Sequence, residues 1–234
     1  MFQFFFRRKK FPAKAQSPLR SLSVLSGFVG TLILLTSMTL ISQPHGQIVC
    51  FGDSITYGAK VDGNSWVWIL QQKDYPGVTF INEGRSGRKT ADKGELLPVL
   101  KKYPDAAYYL IFLGVNDLKN GDDSMVNSCI DNMKWMIGEI RKQTHAKIVI
   151  LSPTDINIRI MTQLNKKKQY NKNTEQALVY LEHQYNLLAK EEHTGFISLL
   201  HVVSKPNYAD GLHPNVAGQR QIADAVWKGL NKIN

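Results

Sequence analysis

The sequence predicts an α/β fold: a parallel sheet joined by right-handed crossovers, with helices on both faces. Three observations point to it. Five short apolar runs alternate with stretches of helical periodicity, the pattern of strand–helix–strand units rather than of hairpins. The runs at 48–51 and 107–113 are apolar without alternation, as strands covered on both faces are. Several runs break off into Gly, Asn, Asp or Ser, residue types suited to loops that bind ligand at strand ends.

Taken in order, residues 1–20 are basic and irregular, with Pro12 and Pro18. Residues 22–41, LSVLSGFVGTLILLTSMTLI, form a charge-free run near the ~20 residues that span a bilayer. Basic before apolar reads as an export signal or signal anchor, with the folded part of the chain outside the cytoplasm. No clear small-residue cleavage site follows, so a cleaved peptide and an uncleaved anchor both stay open. The chain therefore divides into a leader at 1–46 and a folded domain at 47–234.

The first strand is expected at 48–51, before Gly52-Asp53-Ser54. Residues 64–73 (NSWVWILQQK) read as a helix with Trp66, Ile69 and Leu70 on its core face. A second strand covers 78–81 and runs into the loop Asn82-Glu83-Gly84-Arg85-Ser86-Gly87-Arg88. Residues 89–102 are helical, interrupted by Pro98. The third strand, 107–113, ends at Gly114-Val115-Asn116-Asp117. Asp122 or Asp123 can cap the next helix, where Val126, Cys129, Ile130, Met133, Ile137 and Ile140 recur at helical spacing. A fourth strand spans 147–151. Residues 154–169 give no readable pattern. A long helix is expected at 174–192, a fifth strand at 195–200, and a last amphipathic helix through Ile222, Ala225, Val226, Leu230 and Ile233.

Composition narrows the function classes. A hydrophobic fraction of 43% suits a packed core, not a disordered chain. Of the net charge of +10, six units sit in residues 1–46, and the remaining +4 forms no basic stripe, so no nucleic-acid partner is expected. Cys50 and Cys129 fall on apolar positions and read as small buried hydrophobes. His45, His145, His183, His193 and His201 lack a catalytic context. Asp122, Asp123 and Asp155 lack ligand spacing, and no metal or cofactor is implied. Lys166–Lys168 read as a solvated face.

Four stretches carry the chemistry: Gly52-Asp53-Ser54, Asn82–Gly87, Gly114–Asp117 and Asp210–His213. A serine needs a base to take its proton and a third group to orient that base. Asp210, three residues before His213, can hold that imidazole while it serves Ser54. Gly87 has no side chain to keep its N–H from an approaching oxyanion, and Asn116 carries two uncharged donors.

The set GDSIT, NEGRSG, GVND and DGLHP resembles the four sequence blocks of the SGNH/GDSL hydrolases, from about Gln47 to the C-terminus. The resemblance implies a three-layer, flavodoxin-like sheet of order 2-1-3-4-5. It implies Ser54 as nucleophile, Asp210 and His213 as its triad partners, and the N–H groups of Ser54, Gly87 and Asn116 as oxyanion donors. Gly87, five residues after Asn82, fits the second block better than Gly84. The stretch around Arg85–Thr90 is similar to arylesterases and carbohydrate acetylesterases of this family. The expected activity is hydrolysis of short-chain acyl or acetyl esters, on a carbohydrate or lipid, through an acyl-serine. Long-chain lysophospholipase or thioesterase action, or sugar O-acyl transfer, is the alternative. The run at 22–41 allows membrane association.

Overall fold

The computed structural model describes residues 43–233. The leader expected at 1–46 therefore lies almost wholly outside the described residues, as does the apolar run at 22–41. Among the described residues no helix is long and apolar enough to cross a membrane. Five parallel strands form one sheet in the order β2-β1-β3-β4-β5: β1 (Gly46–Gly52), β2 (Val78–Gly84), β3 (Tyr108–Phe112), β4 (Lys147–Leu151) and β5 (Gly195–Ile197). This is the predicted α/β class with the predicted strand order.

Side chains of the central strands alternate between two cores, because successive residues of a strand point to opposite faces. Val49 and Phe51, with Tyr109, Ile111 and Ile150, pack against α3 (Leu96–Lys102), α4 (Asp123–Gln143) and α6 (Lys172–Glu191). Ile48 and Cys50, with Tyr108, Leu110 and Phe112, pack against α2 (Trp66–Gln72) and α7 (Val216–Ile233). Trp66, Ile69 and Leu70 sit in this second core, and both cysteines are buried and free, as the sequence predicts.

Two expectations are corrected. Pro98 does not interrupt a helix. It lies at the third position of α3, after a 3₁₀ turn at Thr90–Glu95, where the missing N–H has no intrahelical partner to lose. The fifth strand stops at Ile197, not at 200; beyond it Leu199 N–H bonds to the Ser152 hydroxyl instead of to a strand. The unreadable stretch at 154–169 contains a 3₁₀ turn (Ile158–Ile160) and a short α5 (Gln163–Lys167), each too brief to show a period.

The register brings the strand ends level. Gly52 pairs with Gly84 on one side and Phe112 on the other, Phe112 with Leu151, and Leu151 with Ile197. Every loop that leaves the sheet here starts from the same edge. At Gly52 the chain turns straight into α1 (Ser54–Tyr57), so a Cβ on Gly52 would stand 2.1 Å from the Thr56 hydroxyl. Gly84 meets the other side of α1: its Cβ would fall 2.3 Å from the Tyr57 amide nitrogen. Side-chain-free positions at 52 and 84 thus let one short helix sit on the ends of β1 and β2.

Gly84→Ala is expected to lower the unfolding free energy by about 1–3 kcal/mol, because a methyl group there meets backbone that cannot move aside. Gly94→Ala, where a Cβ meets nothing within 4 Å, is the control and should cost nothing or stabilise slightly. Urea denaturation of the two variants checks this; equal costs would mean that α1 yields at Gly84.

Candidate active site

Ser54 is the first residue of α1. Asp53 caps that helix, its Oδ1 accepting the Ile55 N–H at 2.9 Å. The hydroxyl therefore projects from the end of a central strand on a turn closed by its own neighbour. Gln219, fully buried on α7, holds this turn from behind. Its side chain accepts the Trp66 N–H and donates to Ile55 O, at 2.9 and 3.2 Å.

His213 arrives from a separate loop closed by an antiparallel bridge between Tyr208 and Pro214 and by Ala209 N–H donating to His213 O. Its Nε2 lies 3.1 Å from Ser54 Oγ, and its Nδ1 lies 2.9 Å from Asp210 Oδ2. The other Asp210 oxygen accepts the backbone N–H groups of Leu212 and His213. Burial acts to raise the Asp210 carboxyl. The hydrogen bonds from the His213 ring and backbone and from Leu212 outweigh it, and hold the group well below the usual carboxylate range. An ionised Asp210 can only accept, so Nδ1 carries the proton and Nε2 presents its lone pair to Ser54.

The Asp210 turn is braced by the stretch in which the sequence shows no pattern. Asn157 N–H donates to Gly211 O at 2.7 Å, while Thr162 N–H and Asn165 Nδ2 both donate to Asp210 O at 3.2 Å. Gly211 has φ +85°, and a Cβ there would sit 2.6 Å from Met161 Cα, so the turn and this strap fit each other only with glycine.

Gly87 and Gly84 separate cleanly. Gly84 is packed beneath α1, whereas Gly87 has φ +80° and open space where a Cβ would be. Around Gly87 the turn is made by Arg85 N–H to Gly52 O and Arg88 N–H to Arg85 O, which leaves the Gly87 N–H out of its bonds. The buried Arg88 side chain anchors this loop on the carbonyls of Gly52 and Glu83 and on Glu95. Asn82, from β2, donates to Thr56 O and to Ser65 Oγ, and so ties the same loop to α1 and α2.

Asn116 lies between these parts. Its Nδ2 donates to Arg88 O at 3.1 Å and approaches Asp53 Oδ2 at 3.4 Å, so it spans the residue before Ser54 and the residue after Gly87. Its Oδ1 accepts the Tyr170 hydroxyl at 2.7 Å. All five residues singled out from sequence, Ser54, Gly87, Asn116, Asp210 and His213, thus fall in one connected neighbourhood. Tyr170, Asn165 and Arg88 were missed. Asn165 lies in the aperiodic stretch and Tyr170 just past its end, and nothing in their spacing marks them.

Asp53 is also more than a turn residue. Burial pushes its carboxyl up to about 7, and neighbouring Asp117 adds to the rise; the Ile55 N–H, His213 and Arg88 oppose it.

The family model described as the GDSL-like Lipase/Acylhydrolase family matches residues 50–221. No curated protein matches the chain. Among solved structures, an aryl esterase of M. smegmatis is similar at TM-score 0.70 and 22% identity, over 81% of this chain and 100% of that one. A carbohydrate acetylesterase family member from Sinorhizobium meliloti is similar at TM-score 0.67 and 18% identity, over 80% and 98%. A catalytic mutant of an acetylxylan esterase from Geobacillus stearothermophilus is similar at TM-score 0.64 and 17% identity, over 82% and 96%. At these identities the likeness is one of fold.

The raised Asp53 carboxyl has a consequence for stability with a definite sign. The folded state keeps this proton up to about 7, while the unfolded chain releases it near 3.8, so the group's contribution to stability falls as pH rises across that window and is level above it. The difference corresponds to something on the order of 1–4 kcal/mol. Asp210, held low, is ionised in both states above about pH 5 and cancels from the comparison. Asp53→Asn should therefore narrow the gap between stabilities at pH 5 and pH 8 by at least about 1 kcal/mol in urea melts. An unchanged gap would show that Asp53 is ionised in the fold.

Proposed function

We propose that this chain, which belongs to the GDSL-like lipase/acylhydrolase family and is a carboxylic ester hydrolase, cleaves short-chain acyl esters through an acyl-Ser54 intermediate. The observation that carries this reading is the continuous path Asp210 Oδ2, His213 Nδ1, His213 Nε2, Ser54 Oγ, with steps of 2.9 and 3.1 Å on either side of the ring.

In this reading Ser54 Oγ attacks the ester carbonyl carbon while its proton passes to His213 Nε2. Asp210 stabilises the resulting imidazolium. The carbonyl oxygen becomes an oxyanion, and the N–H groups of Ser54, Gly87 and Asn116 donate to it. The Asn116 proton facing Asp53 is the available one, since its 3.4 Å contact is the weaker of the two. Collapse breaks the ester C–O bond, and the leaving alkoxide takes the proton from Nε2. Water then attacks acyl-Ser54 with its proton going to Nε2, and expulsion of Ser54 Oγ, reprotonated by His213, releases the acid.

A short acyl group is supported by the carbohydrate acetylesterase and acetylxylan esterase that share the fold. A longer acyl chain, as on a lysophospholipid or thioester, is the second reading. It is favoured by sequence distance: the apolar run ends at Ile41 and β1 begins at Gly46, so an uncleaved anchor would hold the domain against a bilayer. Transfer of the acyl group to a sugar instead of water would use the same acyl-enzyme. The basic segment before the apolar run supports export, with the catalytic domain outside the cytoplasm.

Hydrolysis of p-nitrophenyl esters of graded length should peak at acetate or propionate and fall with each longer chain; a maximum at a long, lipid-like acyl chain selects the second reading. Ser54→Ala should lower kcat by about three orders of magnitude or more, and His213→Ala nearly as much, with the double variant little worse. An organophosphonate should add to Ser54 in intact-protein mass spectrometry. Its addition to another serine would sink the nucleophile assignment.

Export is checked separately by fusing alkaline phosphatase after Asn234. The reporter should be active in intact cells, and a stable but inactive fusion would overturn the orientation.

A further inference from the structure

Asn116 is an amide whose two ends present opposite chemistry, and a half-turn about its last bond would exchange them. Donation to an oxyanion requires that Nδ2, and not Oδ1, face the reacting carbonyl. Its neighbours decide which way it points. On the Nδ2 side the Arg88 carbonyl accepts at 3.1 Å, and Asp53 Oδ2 lies farther off at 3.4 Å. On the Oδ1 side is one side chain, Tyr170, whose hydroxyl lies 2.7 Å away.

Tyr170 is well placed to donate at that position. It is 2% exposed and belongs to the core shared with α4 and α6, with Lys119 Nζ 5.5 Å above its ring and its N–H bonded to Asn165 O. Burial, with the Asp53, Asp117 and Asp210 carboxylates nearby, pushes the phenol up from its ordinary value, so the hydroxyl keeps its proton. A flipped Asn116 would turn Oδ1 against the Arg88 carbonyl, in a buried place where that conflict could not be relieved by water, and would forfeit the hydrogen bond Oδ1 accepts from Tyr170.

We propose that Tyr170 is a positioning residue for the oxyanion hole: its O–H to Asn116 Oδ1 locks the amide with Nδ2 toward Ser54 and strengthens that N–H as a donor. The strengthening follows from cooperativity, since an amide whose carbonyl accepts a hydrogen bond gives up its N–H density more readily to the next acceptor. The proposal rests on Asn116 being an oxyanion donor. The strap at 152–171 then acts on both sides of Ser54. Through Asn157, Thr162 and Asn165 it braces the Asp210 turn, and through Tyr170 it sets the amide opposite.

A kinetic cycle on p-nitrophenyl acetate tests this with wild type, Tyr170→Phe, Asn116→Ala and the double variant, and urea melts confirm folding. Asn116→Ala should lower kcat by about 10²–10³-fold with KM nearly unchanged. Tyr170→Phe weakens the donor without removing it and should lower kcat about tenfold, again with KM unchanged. In the Asn116→Ala background the same change should alter kcat by less than about twofold, since nothing is left to position. Tyr170 replaced by 3-fluorotyrosine, close in shape and a stronger donor, should recover the kcat that phenylalanine loses. A kcat loss for Tyr170→Phe that is undiminished in the Asn116→Ala background, or no loss at all, overturns the proposal while leaving Asn116 in place. If Asn116→Ala itself leaves kcat unchanged, the oxyanion assignment fails, and the role of Tyr170 with it.

Discussion

The hydrogen-bonded line from Asp210 through His213 to Ser54 joins positions 159 residues apart, and it stands only because two independent pieces of chain reach the same edge of the sheet. The in-register finish of the parallel strands fixes where α1 begins. The Tyr208–Pro214 bridge fixes the His213 loop. Gln219 couples the two, being on the helix that follows His213 while bonding the backbone on either side of the Gly58 turn. A shift of either piece by about an ångström would break the 3.1 Å contact, so the packing of α7 is as much a part of the site as the triad is.

Electrostatically the site keeps two kinds of carboxylate apart. Asp210 is surrounded by donors, including its own turn's N–H groups, and is held low, which suits a group that must stay negative beside an imidazolium. Asp53 has one firm donor and full burial, and is raised. In the proposed mechanism a second negative charge beside Asn116 would oppose the oxyanion, so burial of Asp53, which disfavours that charge, would work in the same direction as the proposed donors.

The strap between β4 and α6 has little regular structure, yet it touches both halves of the machinery. Asn157, Thr162 and Asn165 hold the backbone of the Asp210 turn, and Tyr170 meets Asn116. Its outer face carries exposed Ile160 and Leu164 and the solvated Lys166–Lys168. Inward-facing residues of the strap hold the geometry of the site, while its outward-facing ones lie in solvent.

Fold class, strand order (through the resemblance) and the five residues that the structure gathers were all legible in the amino-acid order. Short apolar runs without alternation, set between helical stretches, fit strands covered on both faces, and the glycine at 52 marks a position a side chain would spoil. Contacts between distant segments settled the rest: which glycine is packed and which is open, why Pro98 is harmless, and that Tyr170 faces Asn116. Gly84 and Gly87 are three residues apart with the same chemistry; the spacing from Asn82 favours the second, and the backbone of α1 pressing on the first gives the physical reason. Tyr170 is 54 positions from Asn116, just past a stretch with no period, so its contact leaves no local trace, because a hydrogen bond between side chains constrains two atoms and not a pattern.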